Sequence, residues 1–381
     1  MKKPSFLLIS LDTVRADVAY SGKFQALNLL RTEGVSFAKV VSCSPLTPVS
    51  HASILSGLYP YHHGIRHLFR ERLGDHIVTL AQYLRQAGYR TAGIVSCPGM
   101  NRWYGFDRGF DHYDDDIPLL PDGTNPLLST DVAHRGLAAK RGAAVVDRAL
   151  EWLQKNSRQP LFLFLHFFDA HVPYSPPEPF ASEYANNLYE GEVAYMDHQL
   201  LRLHDEFKRL GIADQFVWIV TADHGEDLEG LYENDHGGEK HGNPQERGHG
   251  CLLYGSTQYV PLLFYHLPIE ISVKEINAQV RSVDIMPTLL ELAGIPPLQP
   301  LDGVSLLPYF QEEERDLPGY SETFYPEEYR GPEPPTKSLK PLQSIRLVVA
   351  GRDISIIWTR GGDEIEVFDQ SSDPNERKSI F

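Results

Sequence analysis

The chain has 381 residues, of which 42% are hydrophobic and 23% charged, a composition that supports a packed core and excludes a disordered chain. Its formal net charge of −16 argues against nucleic acid as the main partner, because binding to the phosphate backbone relies on clustered Lys and Arg. No apolar stretch approaches the roughly 18 residues of a membrane span.

The N-terminal segment starts with Met1, Lys2 and Lys3 and continues into a short apolar run that ends at Asp12. The run is short for a signal peptide and lacks a small-residue cleavage site, so it predicts a buried first strand. The three cysteines are odd in number and scattered, which is not a disulfide framework. We therefore expect a cytoplasmic protein, or a periplasmic or secreted one if a signal peptide has been removed.

Short apolar runs alternate with amphipathic segments through most of the chain. Such runs are typical of strands buried on both faces, which indicates an α/β fold with a mostly parallel sheet between helical layers. The predicted strands are residues 6–11, 91–96, 161–167, 216–221 and 261–265, and the predicted helices are 76–87, 143–155, 192–210 and 284–293. Gly88, Gly211 and Gly294 follow three of these helices, where left-handed C-terminal caps belong.

The C-terminal part of the chain has a different composition. Residues 313–341 are rich in Pro and Glu and are predicted to be a surface connection. Residues 342–381 contain three β-rich segments separated by Gly- and Asp-containing turns, which predicts a small antiparallel subdomain. Residues 1–312 then form one main domain.

Polar residues follow three of the predicted strands. Asp12 follows the first strand, and the other positions are Asp169, His171, Asp223 and His224. One Asp after a strand is usually a helix cap. Because ligands bind beyond the carboxyl ends of strands in open α/β sheets, three such positions favour a metal site instead. We predict one divalent cation, Mn, Zn, Mg or Ca, at Asp12, Asp223 and His224.

Thr47 and Pro48 stand at a predicted helix start. A capping threonine with proline at the first helical position would explain both residues structurally. A hydroxyl at a helix N-terminus is also a docking point for phosphate or sulfate. The helix dipole contributes only about 0.3–2 kcal/mol, whereas zinc lowers the pKa of water from about 15.7 to about 7, or roughly 12 kcal/mol. A nucleophilic Thr47 therefore needs the cation as a neighbour.

Several motifs occur in an informative order: residues 10–17, residues 52–60 followed by His63 and Gly64, and residues 221–226. They resemble the first metal-binding segment, the active-site helix and the second metal-binding segment of the sulfatase family. Further similar segments lie at 249–250, 260–262, 284–288, 366–369 and 373–376, so the resemblance covers nearly the whole chain. It implies an alkaline-phosphatase-like fold and a metal-dependent hydrolase or transferase acting on phosphoric or sulfuric esters.

The departures from the family pattern concern the nucleophile. Sulfatases convert a motif cysteine, or in some members a serine, to formylglycine, but counting back ten residues from Gly57 gives Thr47, and Cys43 lies four residues too early. A threonine here resembles the phosphate-transferring branch of the superfamily, where unmodified Thr or Ser attacks directly. His224 in place of Asn is similar to the same branch, and His51 replaces the motif arginine. We expect no formylglycine and an ordinary buried thiol at Cys43.

The resemblance implies a covalent Thr47 intermediate on a phosphate mono- or diester, released by water or an acceptor alcohol. The further residues expected to act are His51, His171 and His249 on the anion or the leaving group, and Ser50, Asp169 and Arg15 as substrate contacts. Pro173 stands where a second metal site would need a histidine, which argues against a complete second site.

Two alternatives stay open: a sulfuric ester hydrolase that uses the unmodified threonine, and a catalytically weak protein that binds an anion. The partner in each case is a small anionic ester, and the sequence gives no prediction of the oligomeric state. Residues 226–248, rich in Asp, Glu, Gly and His, are predicted to form a mobile loop over the pocket.

Overall fold

The computed structural model describes residues 3–120, 122–125, 139–156, 160–238, 248–311, 315–328 and 340–381. Its main sheet has eight strands in the spatial order β4-β3-β5-β1-β6-β7-β2-β8. The strands are β1 Ser5–Leu11, β2 Val35–Val41, β3 Arg90–Ile94, β4 His112–Asp114, β5 Leu161–Phe167, β6 Phe216–Thr221, β7 Tyr259–Tyr265 and β8 Glu275–Arg281. Only β7 is antiparallel to its neighbours, β6 and β2, so the predicted mostly parallel sheet is confirmed.

Helices pack in two groups around this sheet. The first contains α2, α6 and α8, and the second contains α3, α5 and α10. The α-helices are α1 Ala16–Ala19, α2 Gln25–Glu33, α3 Thr47–Ser56, α4 Pro60–His63, α5 Leu80–Gln86, α6 Gly142–Lys155, α7 Phe180–Glu183, α8 Leu188–Arg209, α9 Gly255–Gln258 and α10 Ile285–Leu292. Every residue of β1, β5 and β6 is buried, which explains their mostly apolar sequences.

The helix ends follow local capping chemistry. Gly88, Gly211 and Gly294 have φ angles of 89°, 68° and 68°, which confirms the predicted left-handed caps. The helix predicted from residue 76 starts only at Leu80, because Thr79 forms a capping box with Gln82. No helix among the described residues is long and apolar enough to cross a membrane.

The C-terminal subdomain is a four-stranded antiparallel sheet in the order β12-β11-β10-β9. Its strands are β9 Gly319–Thr323, β10 Leu342–Val349, β11 Arg352–Thr359 and β12 Ile365–Asp369. Residues 313–341 were predicted to be a surface connection only. Strand β9 corrects this prediction, because it lies inside that range and pairs with β10. This short, polar strand has no apolar run, and its conformation depends on pairing and on contacts with the main domain. Residues 313–314 and 329–339 of that stretch lie outside the described residues.

Candidate active site

The site lies at the carboxyl ends of two adjacent parallel strands. Ser10 of β1 is opposite Thr221 of β6, so Asp12 and Asp223, which follow these strands, reach the same edge of the sheet. Both aspartates are fully buried. Thr13, which follows Asp12, has a φ of +61°, which costs a β-branched residue about 1–3 kcal/mol. This conformation accompanies a hydrogen bond of 3.3 Å from the Thr13 N–H to Asp223 Oδ1.

Thr47 brings its hydroxyl to the same point from the first turn of α3. The residue that precedes this helix is Leu46, and no side chain caps it, so the capping role considered for Thr47 is not observed. The Thr47 Oγ1 atom is instead 3.1 Å from Asp12 Oδ2 and 3.5 Å from His224 Nε2. The threonine hydroxyl therefore lies against the acidic cluster.

The donor atoms of Asp12, Asp223 and His224 fit a cation site. One donor atom from each residue lies within 4.8 Å of the others. Asp12 Oδ1 and Asp223 Oδ2 are buried and have no hydrogen-bond partner among the described residues. His224 Nδ1 donates to the Gly225 carbonyl at 2.9 Å, which leaves the Nε2 lone pair free. Because a buried carboxylate oxygen without a partner is costly, a divalent cation at this point would supply the partner that these two oxygens lack.

Burial dominates the electrostatics of the site. It raises the pKa of Asp12 to about 7, although the neighbouring His224 and the Thr47 hydrogen bond act in the opposite direction. Burial lowers the pKa of His249 to about 4 and raises the pKa of Glu226 well above its usual range. The histidine and the glutamate are therefore favoured in their uncharged forms.

His51 and Ser50 support the site from behind. His51 Nδ1 donates to the Thr47 carbonyl at 2.8 Å, and its Nε2 is 2.9 Å from Ser10 Oγ, so both ring nitrogens have protein partners. Ser50 Oγ donates to the Asp223 carbonyl at 2.7 Å. His51, predicted as a catalytic residue, and Ser50, predicted as a substrate contact, thus hydrogen-bond to the backbone of Thr47 and Asp223.

His171 and His249 lie beside the candidate cation ligand His224. Their ring centroids are 4.9 Å apart, and the His249 ring is 4.3 Å from that of His224. His171 Nδ1 donates to the Val172 carbonyl at 2.7 Å. The structure therefore brings both predicted histidines together with His224.

Asp169 and Arg15 have strong protein partners. Asp169 Oδ1 is 3.0 Å from both the Arg141 Nε and the Gly142 N–H. Each of the five Arg15 side-chain N–H groups has an acceptor within the protein, from Asp17, the Glu226 carbonyl, Asn234 and Asp235. Neither residue belongs to the groups of possible metal ligands among the described residues.

Sequence reasoning overlooked His166 and Cys97. His166 Nε2 is 3.1 Å from Asp12 Oδ2, and its Nδ1 is 3.4 Å from the Ser96 N–H. Cys97 forms a group with Asp12 and His166. His166 was detectable as the only polar residue within the apolar run of β5, whereas Cys97 has no comparable signal.

Cys43 lies away from the cluster. It packs with Tyr59 and Val283, its Sγ is 3.3 Å from Ser282 Oγ, and burial raises the pKa of the thiol to about 12. Cys43, Cys97 and Cys251 are all buried.

Comparisons with known proteins identify relatives along the whole chain. The sulfatase family model matches residues 4–295, and the model described as N-sulphoglucosamine sulphohydrolase, C-terminal, matches residues 249–381. The chain is 25% identical to the uncharacterized sulfatase YidJ of Escherichia coli, over 81% of this chain and 71% of that protein. It is 28% identical to steryl-sulfatase of Rattus norvegicus, over 50% of this chain but only 32% of that protein.

Solved structures share the fold. BT4656, determined in complex with its substrate D-glucosamine-2-N,6-O-disulfate, has a TM-score of 0.75 at 18% identity, with 100% of this chain and 94% of that chain covered. The phosphonate monoester hydrolase of Agrobacterium radiobacter also has a TM-score of 0.75, at 19% identity, with 99% and 91% covered. Because the family model matches more than half of the residues, the chain belongs to the sulfatase family of the alkaline-phosphatase-like superfamily and is a hydrolase acting on sulfuric or phosphoric ester bonds.

Proposed function

We propose that the protein hydrolyses phosphate mono- or diesters with one divalent cation and a covalent intermediate on Thr47. The position of the Thr47 hydroxyl, 3.1 Å from Asp12 Oδ2 and 3.5 Å from His224 Nε2, carries this proposal. Threonine cannot enter the route from cysteine to formylglycine, so the unmodified hydroxyl is the nucleophile that this helix offers.

Asp12, Asp223 and His224 would hold the cation, with Thr47 as a further oxygen ligand. Two carboxylates and an imidazole suit Mn, Zn, Mg or Ca. When bound, such a cation lowers the pKa of a coordinated hydroxyl and stabilises negative charge on the ester oxygens. The two carboxylate oxygens of Asp12 and Asp223 that lack protein donors support this assignment.

The reaction has two half-steps. In the first, Thr47 Oγ1 forms a bond to phosphorus as the bond to the leaving oxygen breaks, and Asp12 Oδ2 is the acceptor within reach of the hydroxyl proton. His171 and His249 bind the outer oxygens or give a proton to the leaving oxygen. In the second, water supplies the oxygen of the released phosphate and gives a proton to the histidine that protonated the leaving oxygen, while Asp12 returns its proton to Thr47. An acceptor alcohol in place of water would take the phosphoryl group.

Hydrolysis of sulfate esters by the unmodified threonine is the second candidate. It is favoured by the family model and by relatives that are named as sulfatases. The same residues would act, with sulfur in place of phosphorus as the atom attacked.

A substrate panel separates the two candidates. Chelator-treated protein is assayed with aryl phosphate monoesters, diesters, phosphonates and sulfates, with Mn, Zn, Mg or Ca added back. We expect cation-dependent turnover of phosphate esters and, after an acid quench, a phosphoryl adduct on the Thr47 peptide by mass spectrometry. Turnover of sulfates alone would favour the second candidate, and full activity in rigorously metal-free protein would contradict both mechanisms.

A further inference from the structure

Glu226 is a buried residue that no step above uses. It follows His224 by two positions and is fully excluded from solvent. Its Oε1 atom is 3.0 Å from His249 Nδ1, a hydrogen-bond distance. The carboxyl group therefore contacts the edge of the His249 ring, beside the rings of His224 and His171.

The backbone fixes both members of this pair. Asp227 and Gly248 form two hydrogen bonds, 2.7 Å from Asp227 N to Gly248 O and 3.1 Å in the reverse direction. Gly248 has a φ of +96°, and a Cβ there would lie 2.7 Å from Glu226 Oε1, so only glycine fits. Arg15 Nη1 also donates to the Glu226 carbonyl at 2.9 Å.

We infer that Glu226 is a positioning residue that holds His249 by Nδ1, so that Nε2 is the ring nitrogen that meets the leaving oxygen of the ester. This inference rests on the proposed function for the identity of the ester. His171 differs, because its Nδ1 faces the Val172 carbonyl, which cannot supply or take up a proton. His249 is thereby assigned the proton transfer to the leaving oxygen.

The proton transfer balances at one atom of His249. The proton on His249 Nε2 passes to the leaving oxygen as its bond to phosphorus breaks. In the second half-step Nε2 takes a proton from the attacking water, which restores the ring.

Leaving-group dependence tests this role, because a merely structural residue would affect all esters equally. Two aryl phosphates are compared, one with an acidic phenol and one with a weakly acidic phenol as the leaving group. We expect Glu226→Ala to lower kcat about 10- to 100-fold for the weakly acidic phenol and little for the acidic one. Glu226→Gln should show a smaller selective loss, since the amide keeps a hydrogen-bonding group beside His249 Nδ1.

Glu376→Gln is the matched control. Glu376 is also a buried glutamate, but it pairs with Arg346 of β10 and accepts from the Gly255 N–H at 2.6 Å. This variant should turn over both esters in the wild-type ratio. Thermal unfolding and cation content, measured for every variant, show whether each protein is folded, and Glu226→Gln supplies the answer if Glu226→Ala does not fold.

A double-mutant cycle completes the test. If Glu226 acts through His249, combining Glu226→Ala with His249→Ala should cost no more than His249→Ala alone. Additive losses, or equal losses on both esters in the Gln and Ala variants, would overturn the inference. Failure of the proposed function is detected separately, by a Thr47→Ala variant that keeps its activity. In that case the two leaving groups are compared on the class of ester that the substrate panel identifies.

Discussion

Two buried acidic groups of this protein differ in whether protein donors pair with all of their carboxylate oxygens. Asp284 accepts from the Arg281 side chain at 2.9 and 2.7 Å, from the Arg281 N–H at 2.8 Å and from the Val304 N–H at 2.8 Å, so both its oxygens are paired. Asp12 and Asp223 each keep one oxygen without a protein donor. Asp284 with Arg281, the closed group, is neutralised within the protein, whereas Asp12 with Asp223, the open group, leaves positive charge to be supplied from outside.

Thr47→Ala has the largest expected effect on the open group. Removing the nucleophile should lower kcat on the order of 10^4-fold or more, while cation affinity, measured by calorimetry, stays near the wild-type value because Asp12, Asp223 and His224 remain. Thr47→Ser keeps a hydroxyl and serves as the active control. Normal turnover by Thr47→Ala would exclude a covalent intermediate on Thr47.

Arg281→Met tests the closed group. It leaves the Asp284 carboxylate buried without its guanidinium partner, so we expect the free energy of unfolding to fall by about 3–5 kcal/mol. The control is Arg352→Met, since Arg352 is exposed and 3.4 Å from Asp369. Denaturant unfolding should show a change of about 0–1 kcal/mol for this control. If Arg281→Met and Arg352→Met were equally stable, the buried pair of Asp284 and Arg281 would contribute no more to stability than an exposed ion pair.

Asp223→Asn should lower cation affinity at least about 100-fold. It should not lower the stability of the chelator-treated protein, because the substitution removes a buried charge that has an unpaired oxygen. Calorimetric titration with the cation, together with unfolding in chelator, measures both quantities. Unchanged affinity would exclude Asp223 from the site.

Cys43→Ser has the smallest expected effect. The new hydroxyl lies near Ser282 Oγ, so the cost in unfolding free energy should be about 1 kcal/mol or less, with kcat unchanged. The intact mass of the active protein should match the unmodified sequence. An aldehyde at Cys43, with loss of activity on substitution, would show that cysteine and not threonine is the nucleophile position.

The fold was predictable where burial dictates the sequence. The predicted bounds of β5 and β6 match the observed strands, since both are almost entirely apolar and lie in the centre of the sheet. Strands β2 and β8 were overlooked because Ser36, Lys39 and Glu275 interrupt their apolar pattern. Such strands are specified by pairing with partners distant in the chain, which local patterns do not record.

The site was predictable as a set of residues but not as a set of contacts. The strand-end positions and the count from Gly57 place Thr47 with Asp12, Asp223 and His224, as the observed geometry does. The acceptors that occupy the Arg15 guanidinium come from positions up to 220 residues away. Tertiary proximity of this kind decides whether a charged side chain is free, and no spacing rule conveys it.

Strand β9 links the two sheets next to the start of α3. Ser321 Oγ donates to the Ser42 carbonyl at 2.5 Å, and the Glu322 N–H donates to the Cys43 carbonyl at 3.0 Å, a few residues before Thr47. The segment that leads to the nucleophile is thus anchored by the C-terminal subdomain. The two sheets are then expected to unfold in one cooperative transition. Removing the C-terminal sheet would release the segment that positions the start of α3 in the main domain.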